Sequence, residues 1–268
     1  MADVAIGRGK SARQAFELDD IVLVPSRRVR DRDDVDLSWK IDAYRFDLPV
    51  MAAGGSTADG VLPVLDLEAM IGDAEPDAGA LRDAVAEARG DGRVAVSVSP
   101  SRAAELVPLG VKAEAEVIVI RGDVVSADHV SSEGDSDLRT LIRSTDAPVI
   151  VGGCVSFSSA KHLMRTGAAG VLIGGGRPDL GMDVPLATAV ADARAARVRH
   201  LDETSVYCHI IAMGATNGVD AAKAIAVGAD AVMVDGDVSG YADALRSTMA
   251  LCGYTDVKSF QKAEVVVR

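Results

Sequence analysis

The fold is decided by two stretches that nearly repeat each other, Thr166-Gly-Ala-Ala-Gly-Val-Leu-Ile-Gly-Gly175 and Val227-Gly-Ala-Asp-Ala-Val-Met-Val-Asp-Gly236. In each stretch a helical pattern ends at a glycine that can adopt the left-handed cap conformation, and a short apolar strand follows at once. A helix–glycine–strand unit that occurs twice predicts parallel strands joined by helices.

Eight apolar runs are predicted to be strands, and each is nearly continuous rather than alternating in polarity. Strands of this kind are typical of a parallel sheet that is covered on both faces. The predicted strands are residues 48–53, 61–65, 93–99, 116–121, 148–154, 170–174, 206–212 and 231–235. The predicted helices are residues 77–89, 101–109, 135–144 with Asp135 as the N-cap, 158–166, 184–202, 219–226 and 241–252.

This alternation in a chain of 268 residues predicts one parallel (β/α)8 barrel, a TIM barrel. Residues 48–268 are expected to form the barrel and residues 1–47 an outer arm. The joint at 54–66 is irregular, because no helix-length segment separates the first two strands. A doubly wound open sheet is the competing architecture, but Gly54-Gly55-Ser56 does not continue as the dinucleotide-binding G-x-G-x-x-G pattern.

Composition and charge narrow the class of partner. The formal net charge is −12, so the overall electrostatic field disfavours nucleic acid and anionic membrane surfaces. No membrane-length apolar run or signal-peptide core is present in the sequence. Three cysteines without CxxC spacing fit a reducing compartment. We therefore expect a cytoplasmic protein that binds a small molecule.

Several segments carry a resemblance to a known family. They include Phe16-Glu-Leu-Asp-Asp-Ile-Val-Leu-Val-Pro-Ser-Arg-Arg28, His162-Leu-Met-Arg-Thr-Gly-Ala-Ala-Gly170 and Leu201-Asp-Glu-Thr204. Together they resemble the IMP dehydrogenase/GMP reductase family, and most closely its actinobacterial group that lacks the regulatory CBS insert. The resemblance implies a barrel, a purine-nucleotide site at the carboxyl ends of the strands, and assembly into oligomers.

The sequence departs from the family in the parts that perform its chemistry. The loop Gly174–Asp183, which corresponds to the family's catalytic loop, is shortened and lacks the cysteine. Met213-Gly-Ala215 replaces the family's Asp-Gly-Gly, and Asp235-Gly236 replaces its Gly-Ser phosphate turn. The long flap that normally follows is absent. We therefore expect neither the family's covalent thiolate adduct nor NAD(P) as a cofactor.

Phosphate contacts are predicted in two loops. The loop after the seventh strand leads into a helix N-terminus, which is a common phosphate-binding arrangement in barrels, although an ordinary N-cap is the alternative. Arg121 ends an apolar strand at the catalytic end, where anion binding and a structural ion pair are equally good interpretations. The predicted binding residues in the two loops are Gly214, Ala215, Thr216, Asn217, Gly218, Gly175, Gly176 and Arg177.

Two carboxylates are predicted at the mouth of the barrel. Asp235 and Asp237 follow the eighth strand, where they would repel a bare phosphate. Mg²⁺ held by both carboxylates would remove that repulsion, because this ion combines one or two carboxylates with substrate phosphates. We therefore predict Asp235, Asp237 and Arg121 as catalytic residues, with the two aspartates as metal ligands.

Four other reactive side chains are interpreted as structural. Cys154 lies at a strand end without an electropositive neighbour in sequence, so it is read as a buried small hydrophobe. Cys208 and Cys252 are read in the same way. His209 is read as a buried imidazole with its hydrogen bonds satisfied, in preference to a general base.

Three functions remain open from the sequence. The first is an enzyme acting on a purine-like nucleotide or phosphoribosyl substrate without redox chemistry, for example one that forms or cleaves a base–ribose bond. The second is an NAD(P)-dependent purine nucleotide oxidoreductase. The third is a non-catalytic nucleotide-sensing or partner subunit. The apolar composition predicts a homo-oligomer, and the third function allows a hetero-oligomer with a full-length relative.

Overall fold

Eight parallel strands close into a barrel in this computed structural model, which describes residues 3–54, 58–72, 77–90, 92–131 and 134–268. Around the barrel the strands run in the order β5, β6, β7, β8, β1, β2, β3, β4, and the last pairs with the first. Their bounds are β1 Val50–Ala53, β2 Leu62–Asp66, β3 Ala95–Val98, β4 Val117–Arg121, β5 Val149–Cys154, β6 Gly170–Ile173, β7 His209–Met213 and β8 Ala231–Asp235. The predicted TIM barrel is confirmed, and the open sheet is excluded.

Nine helices lie in the described part of the chain, and none is long and apolar enough to cross a membrane. Their bounds are α1 Leu67–Ile71, α2 Ala78–Arg89, α3 Ala103–Lys112, α4 Leu138–Ser144, α5 Phe157–Met164, α6 Leu186–Thr204, α7 Gly218–Val227, α8 Tyr241–Leu251 and α9 Val257–Phe260. Between β1 and β2 the described residues, 54 and 58–61, contain no helix. The predicted deletion after the first strand is therefore confirmed for those residues, and residues 55–57 lie outside them.

Three predicted boundaries are each wrong by three residues: the starts of α4 and β7, and the end of α3, which lies at Lys112 rather than at residue 109. Helix α4 begins at Leu138 and is capped by Asp137, whose carboxylate accepts the Thr140 N–H at 3.0 Å. The predicted cap Asp135 instead belongs to Gly134–Asp137, which pairs with Asp128–Ser131 as a hairpin. Strand β7 begins at His209 rather than at residue 206.

The residue before β7 explains the second error. The Tyr207 hydroxyl donates to Asp230 Oδ1 at 2.7 Å, and Arg197 Nη1 lies 2.6 Å from Asp230 Oδ2. Asp230 also accepts from the Ile210 N–H, and it is only 7% exposed. This buried network fixes Tyr207 by its side chain, so the segment before His209 is held without strand pairing.

The barrel strands are buried on both faces, which accounts for their nearly continuous apolar sequences. Inward-facing residues such as Met51, Val119, Ile150 and Leu172 form the cluster inside the barrel. The residues that alternate with them pack against the helices in a second, larger cluster. Since alternation is strict, a side chain's position along a strand determines whether it faces the barrel interior.

A short hairpin fills the amino-terminal end of the barrel. Its strands are Trp39–Ile41 and Tyr44–Phe46. Trp39, Ile41 and Phe46 belong to the interior cluster, and the Trp39 and Phe46 ring centroids are 5.1 Å apart. Trp39 Nε1 donates to the Leu48 carbonyl oxygen at 2.8 Å. This part of the amino-terminal arm is therefore the floor of the barrel.

The rest of the arm is attached to the outside of the barrel. Strand Ile21–Leu23 pairs with Val265–Val267, which joins the two ends of the chain. Arg13 forms a two-pronged ion pair with Asp192 of α6, and Lys223 Nζ donates to the Leu18 carbonyl oxygen at 2.9 Å. These contacts hold residues 13–23 against α6 and α7.

A four-residue ion cluster joins α5 to α6. Glu203 accepts from Lys161 at 2.7 Å, from Arg165 at 2.8 Å and from Arg199 at 3.0 Å. Hydrogen bonds from these three cations lower the pKa of Glu203 to about 2. The cluster therefore favours the folded state only while Glu203 is ionised.

Replacing Trp39 with alanine should lower the free energy of unfolding by about 3–5 kcal/mol, because it leaves a cavity in the barrel floor. The measurement is urea denaturation followed by circular dichroism. Lys40→Ala in the same hairpin removes an exposed side chain and should change stability by no more than about 0.5 kcal/mol. Equal effects of the two substitutions would show that the hairpin does not close the core.

The contribution of Glu203 should depend on pH in a defined direction. Its pKa is lowered on folding from an ordinary value of 4.5, so its contribution is complete above pH 4.5 and declines as the pH falls toward about 2. The difference in thermal midpoint between wild type and Glu203→Gln should therefore shrink between pH 6 and pH 3. Glu87→Gln, at an exposed position, provides the control. A difference that stays constant over this range would contradict the role of the ion cluster.

Candidate functional site

A cavity of about 500 Å³ opens at the carboxyl-terminal mouth of the barrel. This volume and position are those of ligand sites in barrel enzymes. The cavity is lined by Asp66, Glu68, Ser97, Val98, Ser99, Arg121, Gly122, Asp123, Gly175, Met213, Gly214 and Asp235. These residues come from the ends of β2, β3, β4, β7 and β8 and from the loops that follow β4, β6 and β7.

An ion pair spans this mouth. Arg121 Nη1 and Nη2 each lie 2.9 Å from one carboxylate oxygen of Asp235. Arg121 ends β4 and Asp235 ends β8, and four steps separate these strands in either direction around the barrel. The two residues therefore approach each other from opposite walls. Their alternation with Val119 and Met233, both inside the barrel, places them on the inward faces of their strands.

The pair is accessible from the cavity. The Arg121 side chain is 34% exposed and the Asp235 side chain 68%. Hydrogen bonds from Arg121 lower the pKa of Asp235, so its carboxylate is ionised at neutral pH. Ion pairs with this exposure contribute only about 0–1 kcal/mol to stability. The sequence left anion binding and ion pairing equally open for Arg121, and the structure shows the ion pair.

The charge of the mouth is predominantly negative. Asp66, Glu68 and Asp123 line the cavity together with Asp235, and Arg121 is the only cation among the described lining residues. Asp66 accepts from the Glu68 and Ala69 N–H groups of α1, and Glu68 accepts from the Ser99 N–H. The mouth therefore repels a bare anion more strongly than Asp235 alone would.

Asp237 has a different neighbour from Asp235. Its carboxylate accepts from the Ser239 N–H at 2.9 Å and from the Ser239 hydroxyl at 2.6 Å, which lowers its pKa. Within the described ranges, no group of three or more His, Cys, Asp or Glu side chains is arranged to hold a metal ion. The predicted metal role of Asp235 and Asp237 stays a prediction, and both carboxylates would have to change partners to fulfil it.

The loop after β7 has the geometry of an ordinary N-cap. Asn217 Oδ1 accepts from the Val219 and Asp220 N–H groups at 2.9 and 3.0 Å. The Thr216 N–H and hydroxyl both donate to the Asp220 carboxylate. These donors already have acceptors within the protein, including a carboxylate beside the helix N-terminus. A phosphate would therefore have to compete with Asn217 and Asp220.

Two glycines of this loop are required by backbone conformation and by helix packing. Gly214 has φ +100°, in the region that favours glycine, and it lines the mouth. A Cβ on Gly218 would lie 2.6 Å from Ala244 Cβ, so this glycine permits the close approach of α7 to α8. Ala215 is buried, and its carbonyl oxygen accepts from the Tyr241 hydroxyl at 3.1 Å. Their predicted contacts with phosphate stay predictions.

The shortened loop after β6 folds back on itself. Arg177 and Met182 exchange backbone hydrogen bonds, and the Arg177 guanidinium pairs with Asp179 at 2.7–2.8 Å. The Gly176 N–H donates to the Asp123 carbonyl oxygen at 2.8 Å, and a Cβ on Gly175 would lie 2.6 Å from the same oxygen. Gly175 reaches the mouth, whereas Arg177 is engaged at the exposed rim.

The cysteines lie in the core, as the sequence indicates. Burial raises the pKa of Cys154 to about 12, and its Sγ faces the Leu172 carbonyl oxygen at 3.5 Å. Burial also raises the pKa of Cys208 and Cys252. None of the three lines the cavity at the mouth. A thiolate is therefore not available there.

His209 lies at the opposite end of the barrel from the cavity. It begins β7, and its ring packs against Trp39 and Tyr207. Burial lowers its pKa, which keeps the imidazole neutral. The imidazole is only partly buried, with 18% of its side chain exposed, and the predicted complete hydrogen bonding is not found, because Nδ1 is 3.9 Å from Asp230 and has no hydrogen-bond partner.

Five polar residues of the mouth were not predicted from the sequence: Asp66, Glu68, Ser97, Ser99 and Asp123. A signal for them was present, because each is a polar residue at or just after the carboxyl end of an apolar strand. Asp123 stands out among them. No described residue donates a hydrogen bond to its carboxylate, which leaves this acceptor available at the cavity wall.

No protein-family model matches the chain. An uncharacterized oxidoreductase of Mycolicibacterium smegmatis is 39% identical over 298 residues, covering 90% of this chain and 80% of that protein. The crystal structure of an IMP dehydrogenase/GMP reductase-like protein from Corynebacterium glutamicum superposes with a TM-score of 0.89 at 34% identity, covering 99% of this chain and 98% of that one.

A third similarity covers part of the chain. The inosine-5'-monophosphate dehydrogenase of Methanocaldococcus jannaschii is 32% identical over 149 residues, which is 52% of this chain and 29% of that protein. The two matches over most of the chain and this partial match agree with the barrel fold and with the family resemblance of the sequence segments. The chain belongs to the IMP dehydrogenase/GMP reductase-like family of TIM-barrel proteins.

Proposed function

We propose that this protein binds a purine-type nucleotide or a phosphoribosyl compound at the mouth of its barrel and acts on it without a cysteine thiolate. The observation that carries the proposal is the position of Arg121, which places a guanidinium at the centre of a nucleotide-sized cavity. A guanidinium matches the two-oxygen geometry of a phosphate. Family membership supports the purine part of the proposal, since a relative is named for inosine-5'-monophosphate.

The carboxylates of the mouth support a specific division of roles. Asp66 and Asp123 are acceptors that suit ribose hydroxyls or the N–H groups of a purine base. A dianionic phosphate would need a counter-ion beside them, and we propose Mg²⁺ for this purpose, with Asp235 and Asp237 as the ligands indicated by the sequence. Formation or cleavage of a base–ribose bond is a reaction of this substrate class that requires neither a thiolate nor NAD(P).

A non-catalytic role is the second candidate, and one observation favours it. The N–H donors at the start of α7 are already bound to Asn217 and Asp220, so the place where such barrels commonly bind phosphate is filled by the protein itself. Loss of this phosphate position would be tolerated in a subunit that binds a nucleotide only weakly, or in one that only assembles with a relative. A nicotinamide-linked oxidoreductase is the least supported, because the cavity holds no thiol.

We also propose a homo-oligomer in a reducing, cytoplasmic compartment. Val124, Leu180 and Met182 are 52–60% exposed on loops that follow β4 and β6, and an interface between subunits would cover them. All three cysteines are free. We propose in addition that the chain belongs to the actinobacterial group without the CBS insert, which its sequence segments resemble.

Titration calorimetry with IMP, GMP, XMP and phosphoribosyl pyrophosphate, each with and without Mg²⁺, tests the proposed function. At least one compound should bind, and Arg121→Met should weaken that binding by about tenfold or more, because a charge-assisted hydrogen bond is lost. Arg45→Met makes the same charge change at the other end of the barrel and should leave binding unchanged. If no compound binds the wild type under either condition, the non-catalytic role is favoured.

The proposed chemistry also predicts inert thiols. Because the pKa of Cys154 is raised to about 12 by burial, native protein at pH 8 should react with a thiol reagent far more slowly than free cysteine does. Labelling should become complete only after unfolding in urea, which serves as the control. Rapid labelling of the native protein that is blocked by a nucleotide would place a thiol at the site and contradict the proposal.

A further inference from the structure

The Arg121–Asp235 ion pair spans the mouth of the barrel, and both of its residues line the described cavity. Its two residues belong to opposite strands, and both lie on the inward faces of those strands. A ligand centred over the barrel must therefore pass beside this pair or separate it. Neither residue makes another side-chain hydrogen bond in the described structure, so separation would cost no other contact.

We propose that Asp235 is an internal competitor that occupies Arg121 until an anionic group of the ligand replaces it. The carboxylate of Asp235 binds the guanidinium through two parallel hydrogen bonds, which is also the geometry in which arginine binds a phosphate. The Asp235 side chain is largely exposed, so it can rotate toward solvent without losing buried contacts. Ligand binding exchanges one two-pronged acceptor for another, and Arg121 remains paired throughout.

The exchange makes the mouth selective for charge. A singly charged carboxylate on the ligand would gain little over Asp235, which is attached to the same protein and therefore present at high effective concentration. A phosphate or pyrophosphate group carries more negative charge and presents more oxygens, so it can displace Asp235 more readily. The ligand class assigned by this inference is a compound with a phosphate or pyrophosphate group. The assignment rests on the proposed site, but it does not depend on the identity of the base.

The released carboxylate has a second consequence. Once Arg121 has turned to the ligand, Asp235 stands beside Asp66 and Asp123 without a cation of its own. The mouth then holds an unneutralised group of carboxylates next to a bound phosphate, an arrangement that attracts a divalent cation. The described residues of the mouth include no group of side chains already arranged to hold a metal ion. The exchange explains how a metal site could form there after the ligand binds.

Binding of inorganic pyrophosphate in the presence of EDTA tests the inference without a nucleotide or a metal. Asp235→Asn removes the competing charge but keeps the shape of the side chain, so pyrophosphate should bind about tenfold more tightly than to the wild type. Asp123→Asn removes the same charge from the same cavity without freeing Arg121 and should produce a smaller gain. The double substitution Arg121→Met with Asp235→Asn should lose the gain. Calorimetry measures all four affinities.

The outcomes separate this inference from the proposed function. A gain in Asp235→Asn that exceeds the gain in Asp123→Asn and disappears without Arg121 supports the competition, even if no nucleotide binds the wild type and the proposed function fails. Equal gains in the two single variants, or weaker pyrophosphate binding by Asp235→Asn, would overturn the competition. Either result would leave the proposed function standing if the wild type binds a nucleotide. Far-ultraviolet circular dichroism checks that each variant is folded, and Asp235→Ala replaces Asp235→Asn if the latter is not.

Discussion

Burial of the barrel strands on both faces is the constraint on which the rest of the structure depends. The outward faces need helices, and the inward faces need a filled interior that is closed at one end. Trp39, Ile41 and Phe46 provide that closure at the amino-terminal end, so the arm that contains them is part of the core. The carboxyl-terminal end has no such requirement. Loops there can shorten without exposing the barrel interior, and that end is where the sequence indicates departures from the family pattern.

The same constraint arranges the residues of the mouth. In barrels of this type the inward side chains of alternate strands form layers of four. In the uppermost layer the even-numbered strands contribute Asp66, Arg121, Gly174 and Asp235, above a layer that includes Val64, Val119, Leu172 and Met233. The lower layer is apolar and fills the interior. The charged side chains of the upper layer line the cavity and face solvent, whereas Gly174 lies tightly against Met213, since a Cβ there would be 2.8 Å from the Met213 carbonyl oxygen.

Much of the architecture could be predicted from the sequence, because doubly buried strands leave long apolar runs and some of the helices, such as α2 and α7, end at glycines. The start of β7 could not be predicted, since it depends on Asp230 binding Tyr207 and Arg197, contacts that lie far apart along the chain. The site was predicted less completely. Arg121 and Asp235 were predicted as separate site residues. Their pairing could have been predicted from the sequence as well, because eight strands place β4 opposite β8 and strand alternation turns both residues inward. Asp66 and Asp123 were missed because phosphate binding was predicted from the glycine loops. In those loops the Thr216, Gly176 and Arg177 N–H groups have acceptors within the protein.

The balance of charge at the mouth distinguishes this barrel from one built to hold a bare phosphate. A phosphate site normally combines free backbone N–H groups with cations, whereas here those N–H groups have internal acceptors and four carboxylates accompany a single arginine. Arg121 lies within the field of Asp66, Asp123 and Asp235, and these acids raise its pKa. It therefore relieves the mutual repulsion of the carboxylates in the ligand-free protein. Any anionic group that pairs with this arginine also engages the one positive charge among the described lining residues, which partly offsets the four carboxylates. Binding of an anion and recruitment of a cation are for that reason coupled in this barrel by its charge distribution alone, whatever reaction follows.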